Sequence, residues 1–348
     1  MKVSQRGHNF ISALYRKTGD KMNMTKFKSL MASASVTKKI YRLLRNRRNK
    51  FRDKKKFKYT GRYIDRSKGT KYLCIVLAGY KEFAFENVFD RIKKYVNKDI
   101  DICVVSSGLY SDALNEICEK NEWSYLSTIQ NNVCLVQNVA ISKHPNAQYI
   151  FKLDEDIFIT EDYFERMLKA YKHAKQGYYT PGIMAPMLNI NGYSSAKIIE
   201  KLNLVQIYEE KFGAFKYATG SSTQIESNPE FAKFMWGEKN YIPYIDELND
   251  CFSEKELREN PCPYRFSIGA ILFERSLWEE MGFFLVEKNS KGMGQDETQL
   301  GVYCYLQSKP LMVSENIVVG HLSFGKQNKE MEEYYKSHPD IFMMKSSK

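Results

Sequence analysis

Between residues 71 and 158, short apolar runs alternate with segments of helical spacing, and this alternation constrains the fold more than any other feature. The run "KYLCIVLAGY" reads as a buried strand. "FENVFDRIKKYV" places Phe85, Val88, Phe89, Ile92 and Val96 at helical spacing. "DIDICVVSSG" predicts a second strand, and "SDALNEICEKN" a helix with Ser111 placed to cap it. "WSYLST" predicts a third strand, "NNVCLVQNVAISKH" a helix, and "QYIFKL" a strand that ends on Asp154. Such repetition predicts βαβ units around a mostly parallel sheet with helices on both faces. Ligands of these sheets bind beyond the carboxyl ends of the strands.

Downstream, "TEDYFERMLKAYKHA" predicts a helix capped near Thr160, and "GIMAPMLNI" and "YRFSIGAILFE" predict strands. "RSLWEEMG" reads as a short helix and "GQDETQLGVYCYLQSKP" as a helix that opens with acids. "LMVSENIVVGHLSF" predicts one or two strands and contains His321. Residues 191–262 have little periodicity. With 348 residues, 43% of them apolar, the chain can bury one large core. It has no run of about 18 apolar residues, so no transmembrane helix is expected. The N-terminus lacks the apolar core of a secretory signal, so a cytoplasmic protein is expected. The seven cysteines are odd in number, scattered, and without CxxC or Cys/His spacing. Reduced thiols are expected rather than disulfides or zinc.

Charge divides the chain. Residues 1–70 hold 22 Lys and Arg against 3 Asp and Glu, leaving 31 against 38 in the rest. In "TKKIYRLLRNRRNKFRDKKKFK", Ile40, Leu43 and Leu44 join Val36 on one helical arc that Arg47 interrupts. A basic amphipathic helix over residues 36–58 suits an anionic membrane surface, which places the protein at the inner face of the membrane. A passive solvated tail and a nucleic-acid arm are the competing readings. The acidic body disfavours nucleic acid.

In "YIFKLDEDIFIT", Asp154, Glu155 and Asp156 lie between two apolar runs. Acids in such a position are costly unless paired. An Asp-x-Asp at a strand end can hold Mg²⁺ or Mn²⁺, whose open positions take phosphate oxygens. Acids also cap turns after strands, so the triplet alone decides nothing.

Four segments together resemble the GT-A glycosyltransferases, in particular family-2-like inverting enzymes. "QNVAISKHPNAQYIFKLDEDIFI" is similar to the family's Asn-bearing helix and the strand leading to Asp-x-Asp. "SIGAILFERSLWEEMGFF" resembles a small-residue strand followed by Arg, a short helix and a Gly-Phe turn. "GMGQDETQLGVYCYLQSKP" resembles the acidic helix start that carries the catalytic base, and "NIVVGHLSF" the strand whose His can complete a metal site. The chain departs from the pattern at "LAGYKEF", "SSGLYSD", Gln137 and Gln295.

The resemblance implies a transferase that uses a nucleotide-diphosphate sugar, Mn²⁺ or Mg²⁺, and a glycan or lipid-linked acceptor, in surface polysaccharide synthesis. It implies Asp156, Asp154 and His321 at the metal, with Glu155 pointing elsewhere. Ala78, Gly79, Tyr80, Ser106, Ser107, Asn138 and Asp154 would contact the donor. Asp296 or Glu297 would be the base, with Gly269 on the acceptor side. Trp236, Tyr241 and Tyr244, in the aromatic-rich stretch, are candidates to stack on acceptor sugars. The expected organisation is a basic extension (1–70), a nucleotide-sugar half (71–190), an acceptor and catalytic half (191–330) and a tail (331–348). Two other classes remain open: a metal-dependent nucleotidyl- or phosphoryl-transferase, and a non-enzymatic nucleic-acid binder acting through the arm.

Overall fold

The computed structural model describes residues 54–217, 224–287 and 290–344. The described residues from Lys56 onward belong to one compact unit. Most of the basic segment, including the helix expected from Val36, lies outside the described residues.

The strands are β1 (Gly61–Ile64), β2 (Tyr72–Leu77), β3 (Ile100–Ser107), β4 (Ser124–Thr128), β5 (Tyr149–Asp154), β6 (Ile157–Phe158), β7 (Ile183–Leu188), β8 (Glu259–Pro261), β9 (Ala270–Glu274) and β10 (Leu311–His321). They form a 10-stranded sheet in the order β1-β4-β3-β2-β5-β9-β7-β10-β6, with β8 paired to β10. Strands β4, β3, β2 and β5 are mutually parallel, as are β7 and β10. β9 runs antiparallel between β5 and β7. This is the mostly parallel α/β class expected from the alternation. The apolar runs form strands because both faces are covered: every residue of β3, β4 and β7 is buried.

The helices are α1 (Phe85–Tyr95), α2 (Asp112–Lys120), α3 (Val133–Lys143), α4 (Tyr163–Ala174), α5 (Gly192–Lys201), α6 (Val205–Phe212), α7 (Gln224–Ser227), α8 (Pro229–Met235), α9 (Ile245–Phe252), α10 (Arg275–Glu280), α11 (Gln295–Leu306) and α12 (Asn328–Ser337). Phe85, Val88, Phe89 and Ile92 of α1 are buried, as their spacing predicts. Ser111 caps α2, its Oγ accepting from Leu114 N–H. α3 lies on β2, β3 and β4, and α4 on β7, β9 and β10.

Three expectations change. α4 starts from Asp162, at φ 55°, while the Thr160 hydroxyl donates to the Val318 carbonyl instead of capping the helix. The segment expected as an extension contributes β1, an edge strand on β4, so the folded unit begins near Lys56 rather than at 71. The segment expected as a tail is part of the core: Met331, Tyr334, Tyr335, Ile341 and Phe342 are buried. All seven cysteines are unpaired, and five of them are buried.

Candidate active site

The acidic triplet sits where β5 leaves the sheet, beside the carboxyl end of β2 and the amino end of β9. Leu77 is in register with Asp154, and Leu153 with Ala270. Its three carboxylates have three different environments. Asp154 N–H donates to the Gly269 carbonyl, and Asp154 Oδ1 lies 2.6 Å from Lys152 Nζ. Lys152 is itself buried and also donates to the Ile268 carbonyl. Burial pushes the Asp154 carboxyl up to about 6, with Lys152 opposing and Asp156 and Asp296 adding to the rise.

Because this pKa is raised on folding, the folded state binds the extra proton. The stability that Asp154 contributes is present in full below its unfolded value near 3.8 and is lost as pH rises through about 6. Asp154→Asn removes this dependence. Its melting temperature, measured without metal, is therefore expected to gain on the wild type between pH 4.5 and pH 7.5. An equal difference at both pH values would contradict the assignment.

Glu155 points away from the other two, as expected, but it is not idle. Its carboxylate accepts from the backbone N–H groups of Gly79 (2.7 Å), Tyr80 (2.9 Å) and Lys81 (3.0 Å). These hydrogen bonds oppose the rise in its pKa that burial causes. Gly79 fits the loop for two reasons: its φ of 143°, and a Cβ there would meet Leu109 Cδ1 at 3.1 Å.

Asp156 is buried and bound by Lys81, whose ammonium contacts Oδ2 and lies 3.5 Å from Ser323 Oγ. His321 Nε2 is 3.6 Å from the same Oδ2. Burial would raise the Asp156 pKa, but Lys81 and His321 outweigh it and hold the carboxyl below its usual value. Burial lowers the His321 pKa, which keeps the imidazole neutral at pH 7. His321 Nδ1 has no hydrogen-bond partner among the described residues. The backbone around it is fixed: His321 N–H donates to Asn189 Oδ1, and the Trp236 indole N–H reaches the carbonyls of His321 and Leu322.

A carboxylate and a neutral imidazole directed at one point form a donor pair that suits Mn²⁺. Among the described residues no three His, Cys, Asp or Glu side chains converge on one point. Asp154 is held on Lys152 and does not complete such a set.

Asp296, in the first turn of α11, is buried. Its Oδ2 accepts from Gln137 Nε2 at 2.8 Å. Glu297 is instead tied to Arg265 at 2.7 Å, and Arg265 also binds the buried Glu226. Burial raises the Glu297 pKa, with Arg265 opposing and Asp296 adding to the rise.

Several expected site residues have their polar groups engaged inside the protein. Asn138 is fully buried: Trp278 Nε1 and Phe284 N–H donate to its Oδ1, and its Nδ2 donates to the Phe284 carbonyl. It braces the turn after α10, and no polar atom is left for a nucleotide. Trp236 is closed in the core against Phe158 and Phe342, so its ring offers no face to a sugar. The Ser106 hydroxyl donates to the Leu109 carbonyl and pairs with the Tyr125 hydroxyl. Ala78 is buried, its N–H on the Val105 carbonyl. Tyr241 packs on Phe234, while Tyr244 is exposed. At Gly269 a Cβ would meet Ile157 Cδ1 at 3.1 Å and Asp154 Oδ2 at 3.4 Å, so its small size gives room to the triplet.

At the loop itself, exposed Tyr80 donates its hydroxyl to the Ser107 carbonyl, and buried Ser107 Oγ has no partner among the described residues. Sequence reasoning missed Lys81, Lys152, Gln137 and Arg265. The Lys in "LAGYKEF" and the Gln at 137 stood out only as departures from a pattern.

No family model matches the chain, and no curated protein matches it. Solved structures do. A mannosyltransferase from Pyrobaculum calidifontis, in complex with GDP-Man and Mn²⁺, is 13% identical, covering 88% of this chain and 73% of its own, with a TM-score of 0.43. Glucosyl-3-phosphoglycerate synthase from Mycobacterium tuberculosis, with Mn²⁺, UDP and glucosyl-3-phosphoglycerate, is 11% identical over 79% of this chain and 82% of its own, at 0.39. The 4-diphosphocytidyl-2C-methyl-D-erythritol synthase of Anaerococcus prevotii is 11% identical over 78% of this chain and 99% of its own, at 0.40. At these identities and scores none of them assigns a residue or a reaction to this chain.

Proposed function

We propose that the protein is a glycosyltransferase that moves a sugar from a nucleoside-diphosphate donor to an acceptor hydroxyl, with inversion at the anomeric carbon. One observation carries the reading. Beyond the carboxyl end of β5, Asp156 and His321 face each other 3.6 Å apart, and Asp296, held by the amide of Gln137, lies close enough to Asp154 to raise its pKa. A diphosphate leaving group needs positive charge, and an acceptor hydroxyl needs a base. The site has groups of both kinds.

Asp156 and His321 would hold a divalent cation of the Mn²⁺ type, with further ligands from the donor's phosphate oxygens and water. The ion would supply Lewis-acid neutralisation of the departing diphosphate. Lys81 and Lys152 add positive charge nearby. Asp296 suits the role of base better than Glu297. The neutral amide of Gln137 orients it without spending its charge, whereas the guanidinium of Arg265 occupies Glu297. In the reaction the acceptor oxygen bonds to the anomeric carbon, its proton passes to Asp296, and the bond to the diphosphate oxygen breaks. A single displacement of this kind inverts the centre.

The test is a thermal-shift panel of nucleoside-diphosphate sugars with Mn²⁺. Stabilisation by one nucleotide class is expected at about 100-fold excess over Kd, worth roughly 2.7 kcal/mol. Asp156→Ala is expected to abolish it. No stabilisation by any donor would refute the reading.

A further inference from the structure

The Lys81 ammonium occupies the carboxylate that a metal ion would use. The backbone that carries Lys81 is fixed, so its side chain stays within reach of Asp156. The Lys81 backbone N–H and the two before it are held by the Glu155 carboxylate, which fixes the loop against the carboxyl end of β5. Asp156 and Lys81 are largely shielded from water, with side-chain exposures of 5% and 16%, so their attraction is only weakly screened. An ion held between Asp156 Oδ2 and His321 Nε2 must displace the ammonium, which sits on that same oxygen. Among the described residues the only other hydrogen-bond partner of that ammonium is the Ser323 hydroxyl, which cannot neutralise it.

Building on the glycosyltransferase reading, we propose that Lys81 is an internal competitor that makes metal binding conditional on the donor. Without donor, the ammonium holds Asp156, and an incoming cation would strand a buried positive charge. With donor, the diphosphate provides two anionic groups at once: the cation takes Asp156 and His321, and the displaced ammonium moves onto a phosphate oxygen. Metal and nucleotide therefore bind with positive coupling. Linkage requires each to raise the affinity of the other by the same factor. Glu155 is the positioning residue of this device, because it keeps Lys81 within reach of both partners.

The experiment is a calorimetric titration of the full chain with MnCl₂, alone and with a saturating nucleoside diphosphate (UDP, GDP, CDP or ADP). In the wild type, the diphosphate is expected to tighten Mn²⁺ binding by at least about tenfold. In Lys81→Met, Mn²⁺ alone is expected to bind about tenfold tighter than to the wild type, with the coupling to diphosphate reduced. Lys81→Arg keeps the charge and is expected to keep Mn²⁺ binding weak without diphosphate. This guards against a general effect of altering the loop. Glu155→Gln is expected to reduce the coupling while the protein still binds Mn²⁺ with diphosphate. Equal Mn²⁺ affinity in the wild type and Lys81→Met overturns the competitor role and leaves the glycosyltransferase reading intact. Failure of Mn²⁺ to bind with any of the diphosphates, in wild type and variant alike, overturns both.

Discussion

Asp296→Asn is expected to lower the turnover of sugar transfer by about 10²–10⁴-fold, the usual worth of a positioned general base. Donor affinity should change little. The substitution is close to isosteric, and an asparagine Oδ1 can still accept from Gln137 Nε2, which now lies 2.8 Å from Asp296 Oδ2. What is lost is the capacity to take a proton. Glu297→Gln provides the comparison. Glu297 is half of an ion-pair relay through Arg265 to Glu226, so its neutralisation loosens that relay without removing the base. Its turnover should stay within about tenfold of wild type. Steady-state kinetics on both variants, with donor KM measured separately, decides the matter. A larger loss in Glu297→Gln would transfer the role to Glu297.

Arg91→Met is expected to destabilise the fold by about 3–5 kcal/mol, the cost of breaking a buried ion pair from one side. Arg91 is fully buried on an otherwise amphipathic helix. Its guanidinium binds Asp246 through both oxygens, at 2.6 and 2.9 Å, and donates to the carbonyls of Ile159, Phe342 and Met343. One side chain thus ties α1 to α9, to the residue that follows β6 and to the C-terminal segment. The methionine fills much of the volume but leaves Asp246 and three carbonyls without this donor. Urea denaturation gives the measurement. Arg91→Met combined with Asp246→Leu should recover part of the loss, because the carboxylate that has lost Arg91 is removed as well. A loss below about 1 kcal/mol for the single variant would show that water replaces the guanidinium.

Much of this fold is legible in the sequence because strands buried on both faces read as unbroken apolar runs. β2, β3 and β5 fall within three residues of the expected segments at either end. The helices α5 to α9 were not legible. They are short, and the partners that bury their faces come from elsewhere, as with α9 against β10. The site was legible only in part, for a related reason. A carboxylate at a strand end signals its position but not its partners. Glu155 faces backbone N–H groups more than seventy residues away in sequence, and nothing local separates it from Asp154 or Asp156. Asn138 and Trp236 mislead in the opposite sense. Polar and aromatic residues often mark binding surfaces, and here tertiary packing turns both inward.

β9 has a consequence for how the chain is made. It pairs on one side with β5 and on the other with β7, and it is synthesised after both. Until residues 270–274 leave the ribosome, the backbone of Tyr149–Asp154 has no neighbour on that side. The edge it presents is apolar, apart from Lys152 and Asp154. Such an edge invites pairing with other chains. The segment that would carry the chemistry is thus also the one that most needs shielding during synthesis.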